Sequence, residues 1–278
     1  MSETKGPGRE PYARVRKELS VEVGFRCPVA ECGLPYLTWH HFDPPWRIER
    51  HHRPEGMIAL CRRHADEADN GTFSDDQLRE MKRNGAGYAK GVSGRFNWMR
   101  QKILAVVGGN FYYDQDVIFQ INEARCIWFE RSETDDLLLN FQMPSLSGQR
   151  RASIENNFWT VVPKVGQIIC PPSGRIVAVK YENGDRFRVE FVNVLDREAL
   201  AKRYLSANVQ PWVGDIKFPV TVAEIAEKVA GTSIEFGAGE TKLPGIVMTG
   251  GFFTRNGIAV GLQLSVADYS RLFAEQGQ

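Results

Sequence analysis

Between positions 12 and 23 apolar residues recur every fourth place: Val15, Leu19 and Val23 stand among Arg14, Arg16, Lys17, Glu18 and Glu22, the spacing of one helix face. A second helix is predicted from Ser74, where two acids, Asp75 and Asp76, follow a good start residue. Leu78 and Met81 would face inward, and Asn84-Gly85 would end it. Beyond Phe96 the period shortens to two. Apolar-rich runs at 117–121, 126–130, 137–142, 167–170, 175–181 and 186–191, parted by turn residues, predict strands. The plainest pair is a hairpin: Val177, Val179 and Tyr181 alternate on one side of Glu182-Asn183-Gly184-Asp185, and Phe187, Val189 and Phe191 on the other. Its Asn-Gly favours a tight primed turn. Positions 196–205 and 222–230 read as helices, and the remainder to Leu264 returns to a Gly-rich strand pattern.

These patterns divide the chain: a flexible N-terminus over 1–11, a small domain over 12–83, a Gly-rich linker over 84–95 and a larger β-rich domain over 96–278. The expected class is α+β, the larger domain mostly antiparallel. A chain of 278 residues, 42% hydrophobic and 25% charged, is long enough for two cores. Lys and Arg number 35 against 34 Asp and Glu, so attraction to nucleic acid must come from a local patch rather than from net charge. The longest apolar run near a plausible span, 103–107, is far too short to cross a bilayer, and the reading is a soluble, cytoplasmic protein without a membrane partner.

Chemistry concentrates between positions 27 and 64. Cys27 and Cys32 form one spaced pair, Cys61 and His64 another, and this is the spacing of a structural zinc site. The physical need is clear, because so short a segment buries little apolar surface and metal-coupled folding supplies on the order of 10 kcal/mol. Cys126 and Cys170, each alone in a strand pattern, read as small packing side chains. All five histidines lie between 40 and 64, a clustering that neither helical nor strand packing explains.

Arg26-Cys27, Cys32-Gly33, Trp39-His40-His41-Phe42-Asp43-Pro44 and Ile58-Ala59-Leu60-Cys61-Arg62-Arg63-His64 together resemble the zinc-containing HNH endonuclease pattern over about residues 12–83. The resemblance implies a zinc-stapled ββα-metal domain, with His41 activating water and His40 binding a catalytic divalent ion, Mg, Mn, Ni or Zn. Phosphodiester hydrolysis needs both roles, since a poor nucleophile attacks while charge builds on the phosphate and the leaving oxygen. Two positions depart from the pattern. Gly56 stands where the motif asparagine is expected, and Ala65 where the last motif histidine would bind metal.

Three accounts of Ala65 compete: a nuclease fold kept only for binding, a ligand displaced to Asp69 four residues on, or a His-to-Ala change that silences the enzyme. The retained Asp66, Ala68 and Asp69 favour the third. His51 and His52 read as part of a solvated turn, with ligation as the alternative. Arg47, Arg50, Arg53, Arg62 and Arg63, beside Trp39, Trp46 and Phe42, offer a basic and aromatic surface for a DNA backbone. The implied function is a metal-dependent DNA endonuclease, silenced at Ala65 and suited to acting against foreign DNA. The alternative is a zinc module that only binds nucleic acid or protein. The β-rich domain would add specificity through a regulatory ligand or partner protein.

Overall fold

The first predicted helix is present as α1, Ala13–Glu22, and it buries Leu19 together with Val23 at its C-terminal end. The computed structural model describes residues 8–85, 91–162, 165–204, 211–254 and 257–273. By its own contacts the chain separates into two compact units, residues 1–94 with 167–174 and residues 95–166 with 175–278. The class is α+β with mostly β content. Among the described residues no helix is long and apolar enough to cross a membrane.

In the first unit, β1 (Leu37–His41) and β2 (Met57–Cys61) form an antiparallel hairpin that pairs Leu37 with Cys61 and His41 with Met57. Every residue of β2 is buried, because α1 packs on it and α2 (Arg62–Asp69) packs on both strands. A strand covered on both faces reads as a continuous apolar run, here Met57-Ile58-Ala59-Leu60. The third helix, α3 (Asp75–Asn84), starts with a full capping box: the Ser74 hydroxyl accepts from the Gln77 N–H, and the Gln77 side chain accepts from the Ser74 N–H. From α3, the Lys82 ammonium donates to the carbonyls of Pro54 and Met57 at 2.7 and 3.1 Å and pairs with Glu22. It thereby ties α1 and α3 to the start of β2.

Of the expected linker, residues 86–90 lie outside the described residues, and Val92–Arg95 forms a strand rather than a loop. Of the expected N-terminal segment, residues 1–7 likewise lie outside the described residues. Residues 167–174, expected in the β-rich part, group with the first unit, where a Cβ added at Gly174 would stand 3.7 Å from the Tyr36 ring.

The second unit contains two sheets. One runs in the order 258–262, 117–121, 124–131, 137–142, 153–155 and 158–161, antiparallel except for its first pair. The other runs 176–181, 186–194, 220–228, 235–236, 241–243 and 246–248, and the strand at 220–228 also pairs in parallel with Ile103–Val107. Rings from the two sheets meet between them: Phe141 stacks on Phe187 at 4.2 Å and Phe119 meets Phe236 at 5.0 Å.

Two local expectations are corrected. The segment read as a helix over 222–230 is the long strand Val220–Lys228. Glu224 and Glu227, three apart, imitate a polar helix face, yet Glu227 points into the core and takes a position that alternation reserves for an apolar side chain. The 177–191 hairpin is real, but its turn is not a two-residue primed one. Tyr181 and Asp185 still pair, Gly184 donates to the Tyr181 carbonyl at 3.1 Å, and only Gly184 has a positive φ, +94°. That is a three-residue loop with glycine in the left-handed position.

Candidate metal centre and adjoining histidines

Two loops of contrasting make bring the cysteines and His64 together. Cys27 and Cys32 sit on a tight knuckle after α1, closed by Cys27 N–H to the Leu34 carbonyl at 2.8 Å and Cys32 N–H to the Val29 carbonyl at 3.1 Å. Its corners at Gly24, Phe25, Glu31 and Gly33 all have positive φ. Cys61 ends β2 and stands at the N-cap of α2, so His64 falls on the first turn of that helix.

Cys27 Sγ lies 3.2 Å from His64 Nδ1, Cys61 Sγ lies 3.3 Å from the same nitrogen, and Cys32 Sγ lies 3.8 Å from Cys61 Sγ. All four donor atoms are within 4.8 Å of one another. A tetrahedron with metal–sulfur bonds of about 2.3 Å and a metal–nitrogen bond of about 2.0 Å has edges of roughly 3.5–3.8 Å, close to these spacings. Burial pushes the Cys27 and Cys61 thiols above their ordinary range. Thiolates gathered there therefore need a cation at their centre. The other ring nitrogen of His64, Nε2, has the Glu67 carboxylate 3.8 Å away, too far for a hydrogen bond, and that carboxylate accepts instead from Arg63 at 3.0 Å. The cluster can hold a metal ion such as zinc.

His40 and His41 are neighbours on a strand, so their side chains leave on opposite faces. His40 is buried and turns toward α2, with its Nδ1 3.2 Å from Asp69 Oδ1. Arg9, Arg62, Ala65, Asp66 and Asp69 line one surface pocket with it. Ala65 and Asp69 are one helical turn apart, on the face of α2 that His40 meets. Burial pushes the His40 imidazole below its ordinary value, against the pull of the Asp69 carboxylate.

On the other face, His41 Nε2 is 3.0 Å from the His51 carbonyl oxygen. A carbonyl only accepts, so Nε2 carries the hydrogen and Nδ1 is left with its lone pair. That Nδ1 is buried and has no hydrogen-bond partner among the described residues. Burial, with His51 adding to it, lowers the His41 pKa to about 4, so the ring is neutral at neutral pH. Trp46 packs on His41 at 4.7 Å and stacks on His52 at 5.6 Å.

His51 and His52 are not in a solvated turn. His51 is 5% exposed, donates from Nε2 to the Pro44 carbonyl at 2.9 Å and accepts the Arg53 N–H at Nδ1, which uses both nitrogens in backbone contacts. His52 donates to the Gly8 carbonyl at 2.9 Å. Sequence alone hides these roles, because each partner is a backbone group that no residue pattern marks.

The position of Gly56 has a physical reason. A Cβ there would stand 1.8 Å from the Asp43 carbonyl oxygen, and the Gly56 carbonyl itself accepts from the N–H groups of Phe42 and Asp43 at 3.0 and 3.2 Å. The backbone approaches so closely at this point that there is no room for an asparagine. Of the five arginines expected to face a phosphate backbone, all are exposed, but Arg53 pairs with Glu49 and Arg63 with Glu67. Arg62 lines the His40 pocket. Cys126 is a buried thiol on its strand, as read, whereas Cys170, also buried, stands just past the strand Val165–Ile169 rather than in it.

In comparisons with known proteins, no family model, no curated protein and no solved structure matches the chain.

Proposed function

We propose that the first unit is a metal-dependent, HNH-like DNA endonuclease whose Cys27, Cys32, Cys61 and His64 hold a structural zinc, and that Ala65 leaves it close to inactive. The observation that carries this reading is the approach of His40 Nδ1 to Asp69 Oδ1, 3.2 Å apart beside Ala65 in a surface pocket. An imidazole and a carboxylate suit Mg, Mn, Ni or Zn, with oxygen and nitrogen donors mixed. A divalent cation held there would stabilise charge on the phosphate and on the leaving oxygen.

The chain's own part follows from the strand. His41, with its hydrogen fixed on Nε2 by the His51 carbonyl, would offer Nδ1 as the base that takes a proton from the attacking water; since it leaves β1 on the face opposite His40, its loop must rearrange before both rings can act on one phosphate. Its buried lone pair must become accessible for this, which requires the rings of Trp46, His51 and His52 packed around it to shift. Arg62 at the pocket wall would meet a phosphate oxygen, as would Arg47 and Arg50 on the exposed loop beyond β1.

The test is gain of function. Ala65→His in the full chain, supplied with Mg, Mn or Ni, should nick supercoiled plasmid, and a second change, His41→Ala, should abolish the nicking. Absence of nicking under every metal would favour the second reading, a zinc module that docks on nucleic acid or protein without cutting. Ala65 itself is the observation in favour of that alternative.

A further inference from the structure

We propose that the second unit closes around Glu227 only while this carboxyl carries its proton, which makes Glu227 a pH-sensitive latch between the two sheets. The inference concerns the β-rich unit and is independent of the nuclease reading.

Glu227 lies on the central strand Val220–Lys228 and is 2% exposed. In register it stands between Phe187 on one neighbouring strand and Phe236 on the other, and paired residues share a face of the sheet. Those two rings reach the opposite sheet, Phe187 onto Phe141 and Phe236 onto Phe119. The carboxyl is therefore held in an aromatic layer of the core. Both of its oxygens are buried without a hydrogen-bond partner among the described residues.

Among the described residues, the charged and titratable groups around it offer no cation. Asp185, at the start of the strand Arg186–Val194, is fully buried and acts on Glu227 as a like charge. Arg151 is spent on Asp185 at 3.2 Å and on the face of Tyr181 at 4.5 Å. Ser145, Asn183 and the Ala230 N–H also donate to Asp185. From the opposite sheet comes the Cys126 thiol, itself neutral and pushed up by burial. On the same strand, Glu224 and Lys228 point to the other face, where they pair with Arg203 and Glu235. An ionised Glu227 would thus be a bare anion beside a second anion in an apolar layer, whereas the protonated form loses only its hydration.

Burial and Asp185 hold the folded carboxyl well above the usual carboxylate range, so the folded unit keeps a proton that the unfolded chain releases. The latch is then at full strength below the unfolded pKa and weakens as pH rises, until the folded carboxyl itself ionises.

The experiment uses the full chain and the opening of its second unit, read by labelling of the buried Cys126 with a thiol reagent and located by mass spectrometry. Rates are corrected for intrinsic thiol reactivity at each pH. Relative to Glu227→Gln, the opening constant of the unaltered chain should rise about tenfold per pH unit above the ordinary carboxylate range. Equal pH slopes in the two chains would overturn the proposal. Should Glu227→Gln fail to fold, infrared spectra of the unaltered chain decide: a protonated-carboxyl band that persists at neutral pH supports the latch, and its absence overturns it.

Discussion

Removing the metal from the Cys27, Cys32, Cys61 and His64 cluster should unfold the first unit and leave the second intact. The first unit's core is one small cluster, with Leu19 and Val23 from the α1 region, Met57 to Leu60 from β2, Ala65 and Ala68 from α2 and Leu78 from α3 among its members. Domains of this size keep only a few kcal/mol of net stability from such a core. Metal-coupled folding in small zinc modules contributes on the order of 10 kcal/mol, so its loss exceeds that margin. Deleting one of the four donors, as in Cys61→Ala, opens the tetrahedron, weakens metal binding and frees the junction of β2 and α2. Elemental analysis should return one zinc per chain. Hydrogen exchange followed by mass spectrometry should then show β2 and α2 losing protection on chelation, while 186–194 and 220–228 keep theirs. A chelated chain whose β2 amides stay protected, or a preparation without bound metal that exchanges just as slowly, would refute the reasoning.

Two further outcomes follow from local packing. Gly56→Ala should destabilise the first unit by about 1–3 kcal/mol or more, because the added methyl meets rigid backbone at Asp43 rather than a side chain that can turn away. A denaturation midpoint unchanged from the parent chain would show that the loop yields freely. Asp185→Ala should cost about 3–5 kcal/mol, since Arg151 would remain buried without its carboxylate and the Ala230 N–H would lose its acceptor. A near-neutral result in equilibrium unfolding would mean that this buried network contributes little to holding the second unit.

What could be read from the sequence depended on whether the signal was local. The helix at 13–22, the capped start at Ser74 and the hairpin at 177–191 announce themselves by period and by turn residues within a few positions. The pairing of Cys27 and Cys32 with Cys61 and His64 was legible for a different reason: donor spacing is a chemical constraint that survives the 28 residues between. Nothing local marks Glu227, whose charge makes a core strand look like the polar face of a helix. Nor does anything mark Lys82, which finds its partners at Glu22, Pro54 and Met57 only after three elements have packed. Gly56 is intermediate, since the glycine is visible but its reason, the Asp43 carbonyl, is a contact across the loop.

The strand period explains how so few residues separate two chemical environments. Because His40 and His41 leave β1 on opposite faces, one imidazole faces the carboxylate of α2 and the other a pocket of aromatic rings and backbone carbonyls. The placing of Asp69 is not independent of the cysteines. Helix α2 begins directly after Cys61 and carries His64 on its first turn, so the four-donor cluster sets the origin of the helix, and Asp69 lies about 7.5 Å along its axis from His64, at 1.5 Å rise per residue. An ion held by the cluster would thereby fix the distance between His40 and Asp69 without touching either. The junction of β2 and α2 would then join two roles: one end of the helix holds the fold, and the other presents a carboxylate to the strand.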